Sequence, residues 1–446
     1  MSEASAPLAR WGYASVTDKI ADLVLRRPTH WGWLLAFAAT FMGTAAFFGA
    51  IAYLFTKGIG IWGVNIPVAW GFAIANFVWW IGIGHAGTFI SAILLLLRQK
   101  WRTSINRFAE AMTLFAAGIA GIFPILHLGR PWFFYWLVPY PNVMELWPQW
   151  RSALVWDIFA ISTYLIVSLL FWYVGLVPDL ATLRDRAAAP WKKIAYGLLA
   201  LGWRGEARHW ARFETVYLLL AGLATPLVVS VHSVVSLDFA IGIVPGYHST
   251  VFPPYFVAGA LFSGFAMVLT LAIPLRRFFG LQDFITGKHL ENAAKILLAC
   301  SWVVAYGYFI EAFTAFYSGD KFEIAMTLDR LTGYYAPVYW TVLACNVIAP
   351  QVVWFRGMRR SVQVLFALSL VVNLGMWLER VMIVVQSMHH DFMPSAWGNF
   401  LPSAWDWTHF LGSIAFFAFL FLLFVRLLPA ISISEMRELV HEEKAK

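Results

Sequence analysis

Apolar stretches long enough to cross a bilayer recur along the whole chain, separated by short polar segments. A spanning helix needs about 20 predominantly apolar residues. The pattern predicts an all-α, polytopic membrane protein with ten transmembrane helices. They are expected over residues 31–57, 67–97, 106–127, 152–176, 212–236, 252–276, 293–317, 334–354, 361–387 and 405–428.

The composition agrees with a membrane protein and argues against a soluble one. The chain is 61% hydrophobic and 13% charged, whereas a soluble domain carries about 25% charged residues. The net charge of +8 lies in short loops between apolar stretches, so it does not indicate a nucleic-acid-binding face. Only two cysteines occur, Cys300 and Cys345, both within apolar stretches. They are too few for a four-cysteine cluster, and we interpret them as packing residues.

Lysine and arginine alternate between the two sides of the predicted membrane. One side, which includes both termini, holds 26 of the 32 basic residues. Basic loops stay on the cytoplasmic side of bacterial membranes, so we expect both termini to be cytoplasmic and the other side periplasmic. The exceptions are Lys57, Arg130, Arg151, Lys321 and Arg330 on the outer side, and Arg380 inside the ninth span.

A weak internal repeat relates spans two to five with spans six to nine. Each block begins with a glycine-bearing helix that ends in a basic cluster, at Gly87–Arg98 and at Gly264–Arg277. This order predicts two four-helix bundles related by an axis along the membrane normal. The predicted divisions are a cytoplasmic segment (1–30), the first span with its outer loop (31–66), bundle one (67–236), bundle two (237–387), and an outer loop, tenth span and cytoplasmic tail (388–446).

A histidine and an acid mark the outer ends of the third and fourth spans. His127 closes the third span in the segment HLGRPW, and Asp157 lies about one and a half turns into the fourth. Antiparallel neighbours bring the two to similar depth, where they could accept the two protons of a quinol. We predict a quinol site at His127 and Asp157, supported by Arg130, Arg151 and Trp132. The alternative is that His127 caps its helix and Asp157 pairs with Arg151 or Arg130.

Other ionisable residues lie within or near the spans toward the outer side: His232, Asp238, Glu311, Glu379 and Arg380. Such groups are costly at membrane depth and are usually functional. They predict a proton-transfer route to the periplasm or a second wall of the quinol pocket. The alternative is buried pairing, chiefly of Glu379 or Glu311 with Arg380, that holds the bundle together.

The remaining candidates have weaker patterns. His85 lies in the inner half of the second span, where a packing role competes with proton transfer. Glu110, at the inner end of the third span, is expected at the interface, with proton uptake as the alternative. Adjacent histidines point in different directions on most backbones, so His389, His390 and Asp391 are not expected to bind a metal.

Several long segments resemble the NrfD-like family of polysulfide-reductase membrane subunits. The resemblance covers nearly the whole chain from about residue 60 and is greatest to the ten-span, quinol-binding membrane subunit of bacterial alternative complex III. It rests on Phe77–Leu97, His127–Trp132, Arg151–Tyr164, Ser230–Ala240, Pro245–Leu271, Tyr306–Gly319 and Asn373–Val385.

The resemblance implies a membrane subunit of a quinol:electron-acceptor oxidoreductase in the bacterial inner membrane. The implied substrate is menaquinol or ubiquinol, bound without any haem or metal in this chain. The implied partners are c-type haem subunits, a periplasmic iron–sulfur subunit and a second NrfD-like membrane subunit. The family's quinol-site residues map onto His127 and Asp157, and its proton-transfer residues map onto His232, Asp238, Glu311 and Glu379.

Three alternatives remain open. The first is a related NrfD-like quinone-reactive subunit of a polysulfide, tetrathionate or nitrite reductase. The second is a dihaem cytochrome b, for which His127 and His232 are the only plausible ligand pair in the sequence. The third is a secondary transporter, which predicts a midplane site at broken helices rather than charges near one face.

Overall fold

The computed structural model describes residues 11–138, 150 and 152–444, and the regular structure in these ranges is helical. Ten of its helices are long and apolar enough to cross a membrane, as predicted. They are Trp31–Lys57, Phe72–Leu96, Asn106–His127, Ala153–Arg186, Ala207–Ala240, Phe252–Phe278, Gly287–Ser318, Ala336–Trp354, Val362–His389 and Ala404–Leu427, called spans one to ten. The chain is therefore a multi-pass membrane protein. We call the side of the basic loops the inner side and the opposite side the outer side.

Shorter helices lie beside the spans. On the inner side they are Tyr13–Leu25, Pro190–Leu199, Arg356–Arg360 and Ile433–Lys444, and on the outer side Lys321–Thr332. Tyr13–Leu25 is amphipathic and buries its apolar face against the body of the protein, with Val16, Ile20 and Val24 enclosed. Two spans contain a π-helical turn, at Ala344–Ile348 in span eight and Met382–Gln386 in span nine. Such turns often mark functional positions in helices.

The fourth and fifth spans are longer than the apolar pattern predicts. Span four continues ten residues beyond residue 176, to Arg186, and span five runs to Ala240 rather than 236. Polar residues on these extensions are paired inside the protein, so hydropathy alone ends the helices too early. Span two is shorter and begins at Phe72 rather than at residue 67. In the segment before it, the Asn65 side chain accepts a hydrogen bond from the Val68 N–H.

Spans two, six and nine form the centre of the molecule and are mostly buried. Spans two to five pack against one another, as do spans six to nine, and span two joins the sets by contacting spans six and nine. Small residues allow that junction: a Cβ on Gly264 would lie 1.7 Å from the Cβ of Ala86. Spans one and ten pack together beside the first set. This packing is compatible with two bundles, and the repeat axis between them stays a prediction.

Candidate functional site

Two carboxyl groups meet near the outer ends of spans four and five. Asp157 lies four residues after Ala153, about 6 Å below the start of span four, and Asp238 lies two residues before Ala240. The two side chains are within hydrogen-bonding reach of each other. Asp157 is only 5% exposed. Two ionised carboxylates this close repel strongly, and one shared proton removes the repulsion.

His127 lies at the outer end of the neighbouring span three. The Trp70 ring meets the His127 ring edge-on at 6.3 Å and the ring of Phe239, next to Asp238, at 6.0 Å. Trp70 therefore links the histidine to the segment that carries the acid pair. The two predicted quinol-site residues thus lie on adjacent spans at the same outer end.

Three buried polar atoms at this end have no hydrogen-bond partner within the described residues. They are His127 Nδ1, Asp157 Oδ1 and Asp238 Oδ1, all shielded from solvent. Buried polar atoms are normally satisfied, so a group of unsatisfied ones indicates a missing polar ligand or water. Imidazole nitrogen and carboxyl oxygen are suited to bind hydroxyl or carbonyl groups.

The predicted supporting residues lie farther out. Arg130 is exposed and Trp132 is 53% exposed. Arg151 lies outside the described residues. The predicted alternative, in which Asp157 pairs with Arg130 or Arg151, did not include Asp238, which lies within hydrogen-bonding reach of Asp157. The reason is that span five continues to Ala240 and carries Asp238 to the same depth as Asp157. Pairing of Asp157 with Arg151 stays a prediction.

His85 and His232 form a pair in the interior, and this corrects their predicted positions. Their Nδ1 atoms lie 2.7 Å apart and both rings are fully buried. The sequence put His232 at the outer end of its span and His85 in the inner half of another. Because span five continues to Ala240, His232 instead lies about 12 Å below its outer end. The Tyr164 ring packs edge-on against His85 at 4.5 Å.

Arg380 lies between this histidine pair and the acid of span nine. Its guanidinium stacks over the Phe256 ring at 4.2 Å, and the same Phe256 ring lies 6.0 Å from the ring of His232. Arg380 Nη1 lies 3.1 Å from Glu379 Oε1, with both side chains buried. The predicted pairing of Glu379 with Arg380 is thus observed.

Glu379 also accepts a hydrogen bond from a tyrosine that the sequence did not single out. The Tyr308 hydroxyl donates to Glu379 Oε2 at 2.5 Å, and the Asn346 side chain donates to the Tyr308 oxygen at 2.9 Å. Asn346 belongs to the π-helical turn of span eight, and the second π-helical turn begins just after Arg380. The apolar pattern of a sequence does not predict where a span forms a π-helical turn. It therefore gives no reason to expect Asn346 beside Tyr308.

Glu311 pairs with Arg330 rather than with Arg380, which corrects one predicted alternative. Arg330 Nη1 donates to Glu311 Oε1 at 2.5 Å, and Arg330 Nη2 donates to the Ser387 hydroxyl at 3.0 Å. Arg330 belongs to the outer helix Lys321–Thr332, which the sequence pattern treats as a loop. Glu311 therefore anchors that helix to the outer end of span seven.

Glu110 is enclosed in a polar cluster at the inner side, not placed at the interface as expected. It is 1% exposed and accepts hydrogen bonds from the Ser91 hydroxyl at 2.5 Å and the Tyr217 hydroxyl at 3.1 Å. Arg107 lies 3.6 Å from Glu110 and 3.2 Å from Asp179. Because Asp179 lies beyond the predicted end of span four, the apolar pattern does not predict its pairing with Arg107. Comparing depths on antiparallel spans would have found it.

The C-terminal helix closes this inner cluster. Glu435 accepts hydrogen bonds from Arg102 at 2.8 Å and from the Asn106 side chain at 3.0 Å. Arg102 is buried, which lowers its pKa, but Glu435, Tyr217 and Glu110 outweigh burial and hold the pKa of Arg102 above its ordinary value. The charge of Arg102 is therefore permanent, and its carboxylate partner is needed to compensate it.

Comparison with known proteins agrees with the sequence resemblance. The family model described as "Polysulphide reductase, NrfD" matches residues 62–390, from just before span two to the end of span nine. The chain therefore belongs to the NrfD family. It is also 28% identical over 269 residues to a Halobacterium salinarum protein named as a membrane subunit of dimethyl sulfoxide reductase. That match covers 58% of this chain and 56% of the relative, so the chain spans about half the length of that protein.

Proposed function

We propose that this chain is the quinol-binding membrane subunit of a quinol:electron-acceptor oxidoreductase of the alternative complex III type. Family membership supports a membrane subunit of an oxidoreductase. The observation that carries the proposal is the Asp157–Asp238 pair, together with His127 at the outer end of the adjacent span three, with one buried unsatisfied polar atom on each residue. The site lies at the outer end of spans three to five.

The side chains provide what quinol oxidation requires. A quinol loses two protons and two electrons when it becomes a quinone. In this proposal His127 Nδ1 accepts a hydrogen bond from one hydroxyl, and the carboxyl pair accepts one from the other. The imidazole takes up one proton and a carboxylate takes up the second, both on the outer side of the membrane.

The two electrons leave for other subunits. The chain has only two cysteines, which cannot ligate an iron–sulfur cluster of the four-cysteine kind. We infer that an outer iron–sulfur subunit receives the electrons and passes them to c-type haem subunits. The proposed complex also includes a second NrfD-like membrane subunit. The substrate is menaquinol or ubiquinol, in the bacterial inner membrane with both termini cytoplasmic.

Buried polar groups below the site support a proposed role in proton transfer. Asp238 and His232 are six residues apart on span five, about 9 Å along the axis. His232 contacts His85. Arg380, which stacks on Phe256 next to His232, pairs in turn with Glu379. Side-chain rotation or water is required between these groups. The proposal treats His85, His232, Asp238, Glu311, Glu379 and Arg380 as the proton-transfer residues.

A second candidate is a membrane subunit of a reductase, which the name of the halobacterial relative favours. Reductases acting on dimethyl sulfoxide, polysulfide, tetrathionate or nitrite belong to this class. Both candidates use the same quinone site and differ in the attached outer subunits. Co-purification of c-type haem subunits favours the alternative complex III type, whereas co-purification of a soluble reductase subunit favours the second candidate.

The test is quinol:acceptor turnover of the intact membrane complex carrying Asp157→Asn. General acid–base groups contribute about 10²–10⁴-fold to rate, so we expect at least a 100-fold loss with the partner subunits still present. Asp391→Asn is the matched control, because Asp391 lies on the same outer side and its carboxylate accepts a hydrogen bond from the Met393 N–H. Full turnover in Asp157→Asn with normal assembly would remove Asp157 from the site.

A further inference from the structure

The outer helix Lys321–Thr332 brings an acid against two histidines at the end of span nine. Asp329 Oδ2 lies 3.0 Å from His389 Nε2, and Asp329 Oδ1 lies 3.4 Å from His390 Nδ1. His389 is fully buried, and the other two residues are partly buried. One ligand atom from each of the three residues lies within 4.8 Å of the others. None of these residues belongs to the proposed quinol site.

The two adjacent histidines face the same way, contrary to the expectation from sequence. Span nine ends at His389, and His390 has left the helix with φ −128° and ψ 80°. This bend stacks the two imidazoles at 3.9 Å between ring centres. The Trp397 ring stacks on the other face of His390 at 4.2 Å, and Tyr335 packs edge-on against His389 at 4.8 Å. Aromatic packing thus holds both imidazoles in place beside Asp329.

The Nε2 atom of His389 has no hydrogen-bond partner within the described residues. It is shielded from solvent and makes no aligned hydrogen bond within the described residues, despite its 3.0 Å approach to Asp329. The other ring nitrogen, Nδ1, lies 3.5 Å from the backbone carbonyl oxygen of Gln386, which favours a proton on Nδ1. Nε2 then presents a lone pair toward a carboxylate. Two such groups repel unless a proton or a metal ion lies between them.

We propose that Asp329, His389 and His390 bind a divalent metal ion, with Zn²⁺ as the preferred ion. Imidazole and carboxylate ligands bind Zn²⁺ at roughly 2.0–2.2 Å, so ligands that share one tetrahedral ion lie roughly 3.3 Å apart. His389 Nε2 lies 3.0 Å from one Asp329 oxygen and His390 Nδ1 lies 3.4 Å from the other, so each nitrogen is close to this spacing from the carboxylate. Two imidazoles favour Zn²⁺ over Mg²⁺ or Ca²⁺, which prefer oxygen ligands. The backbone carbonyl behind His389 Nδ1 is the outer-shell partner that metal-binding histidines commonly have.

The ion would fasten the outer helix to span nine. The same helix carries Arg330, the partner of Glu311 and Ser387. A metal ion bound by Asp329, His389 and His390 would therefore hold the helix that carries Arg330 against the outer end of span nine. Three protein ligands leave a fourth tetrahedral position for water. This inference is independent of the quinol proposal.

The experiment is Zn²⁺ binding to the purified full chain in detergent after metal removal with a chelator. Titration calorimetry and elemental analysis should show one tightly bound Zn²⁺ per chain. His390→Gln and Asp329→Asn should each weaken binding by at least tenfold. His248→Gln should leave it unchanged, because His248 is an exposed histidine of the same outer side, next to the Gly242 carbonyl. Co²⁺ should give ligand-field absorption bands that both site variants lose.

Two outcomes would overturn the proposal. The first is Zn²⁺ binding of unchanged stoichiometry and affinity in both site variants, which would place the ion elsewhere. The second is binding by the native chain only at millimolar Zn²⁺. Thermal unfolding of each metal-free variant checks that the chain still folds, and using two different ligand substitutions keeps the test valid if one variant does not.

Discussion

The Nδ1 atoms of His85 and His232 lie 2.7 Å apart in the interior of the protein, joining spans two and five. One ring must donate and the other must accept, because two lone pairs at this distance repel. The Nε2 atom of each ring is shielded and unpartnered among the described residues. The pair is therefore a structural link between the two spans, and it belongs to the proposed proton-transfer route.

Removing one histidine should leave the other without its hydrogen-bond partner. A buried polar group left without its partner costs about 1–3 kcal/mol. We expect His85→Ala and His232→Ala each to lower the free energy of unfolding by at least that amount, since each also opens a cavity. The double variant should show a coupling of about 0.5–3 kcal/mol. Unfolding in increasing SDS measures this cycle, and strictly additive effects would show that the two rings do not interact.

The Glu379–Arg380 pair allows the structural and proton-transfer roles to be separated. Breaking a buried ion pair from one side costs about 3–5 kcal/mol, whereas replacing both partners with apolar residues is often nearly neutral. We expect Glu379→Gln to be strongly destabilising and Glu379→Met with Arg380→Met to recover much of the loss. If the stable double variant also keeps full quinol turnover, Glu379 has no part in proton transfer. A double variant as unstable as the sum of the single ones would contradict the pairing.

The C-terminal helix Ile433–Lys444 should depend on Glu435. This residue accepts hydrogen bonds from Arg102 and Asn106 and compensates a buried guanidinium. We expect Glu435→Gln to loosen the helix and to increase both amide hydrogen exchange over it and proteolysis at the C-terminus. Glu438→Gln is the comparison, because Glu438 is an exposed acid of the same helix. Equal protection of the helix in both variants would show that Glu435 does not hold it.

The approach of spans two and six depends on the absence of a side chain at Gly264. A Cβ there would lie 1.7 Å from the Cβ of Ala86, so Gly264→Ala must separate the helices and should cost about 1–3 kcal/mol. Gly222→Ala in span five is the control. An added Cβ at Gly222 meets no described atom within 4 Å, and alanine favours helix by up to about 1 kcal/mol. Equal melting temperatures for the two variants would contradict the close junction.

The apolar pattern predicted the number of spans because ten long stretches and the alternation of basic loops are strong signals. Span ends were less predictable where polar residues are buried by pairing, as for Asp179 with Arg107 and Asp238 with Asp157. Depth along antiparallel helices correctly placed His127 and Asp157 at one outer end. It could not show that Asp238 is the nearest acid to Asp157.

Other contacts depend on tertiary packing that a sequence pattern does not encode. The π-helical turn of span eight turns Asn346 toward Tyr308, and the sequence carried no signal for that turn. The bend after span nine stacks His390 on His389, against the usual divergence of neighbouring side chains. The apolar pattern predicts a loop around Arg330, because its helix on the outer side is short and mixed in polarity.

The most direct test of the proposed quinol site is labelling of the intact membrane complex with a photoreactive quinone, followed by mass spectrometry of the cleaved chain. We expect labelled peptides at the outer ends of spans three to five, near His127, Asp157 and Asp238. An excess of unlabelled quinone should compete, and Asp157→Asn should reduce the labelling. Labelling confined to the inner side, around Glu110, and unaffected by Asp157→Asn would contradict the account.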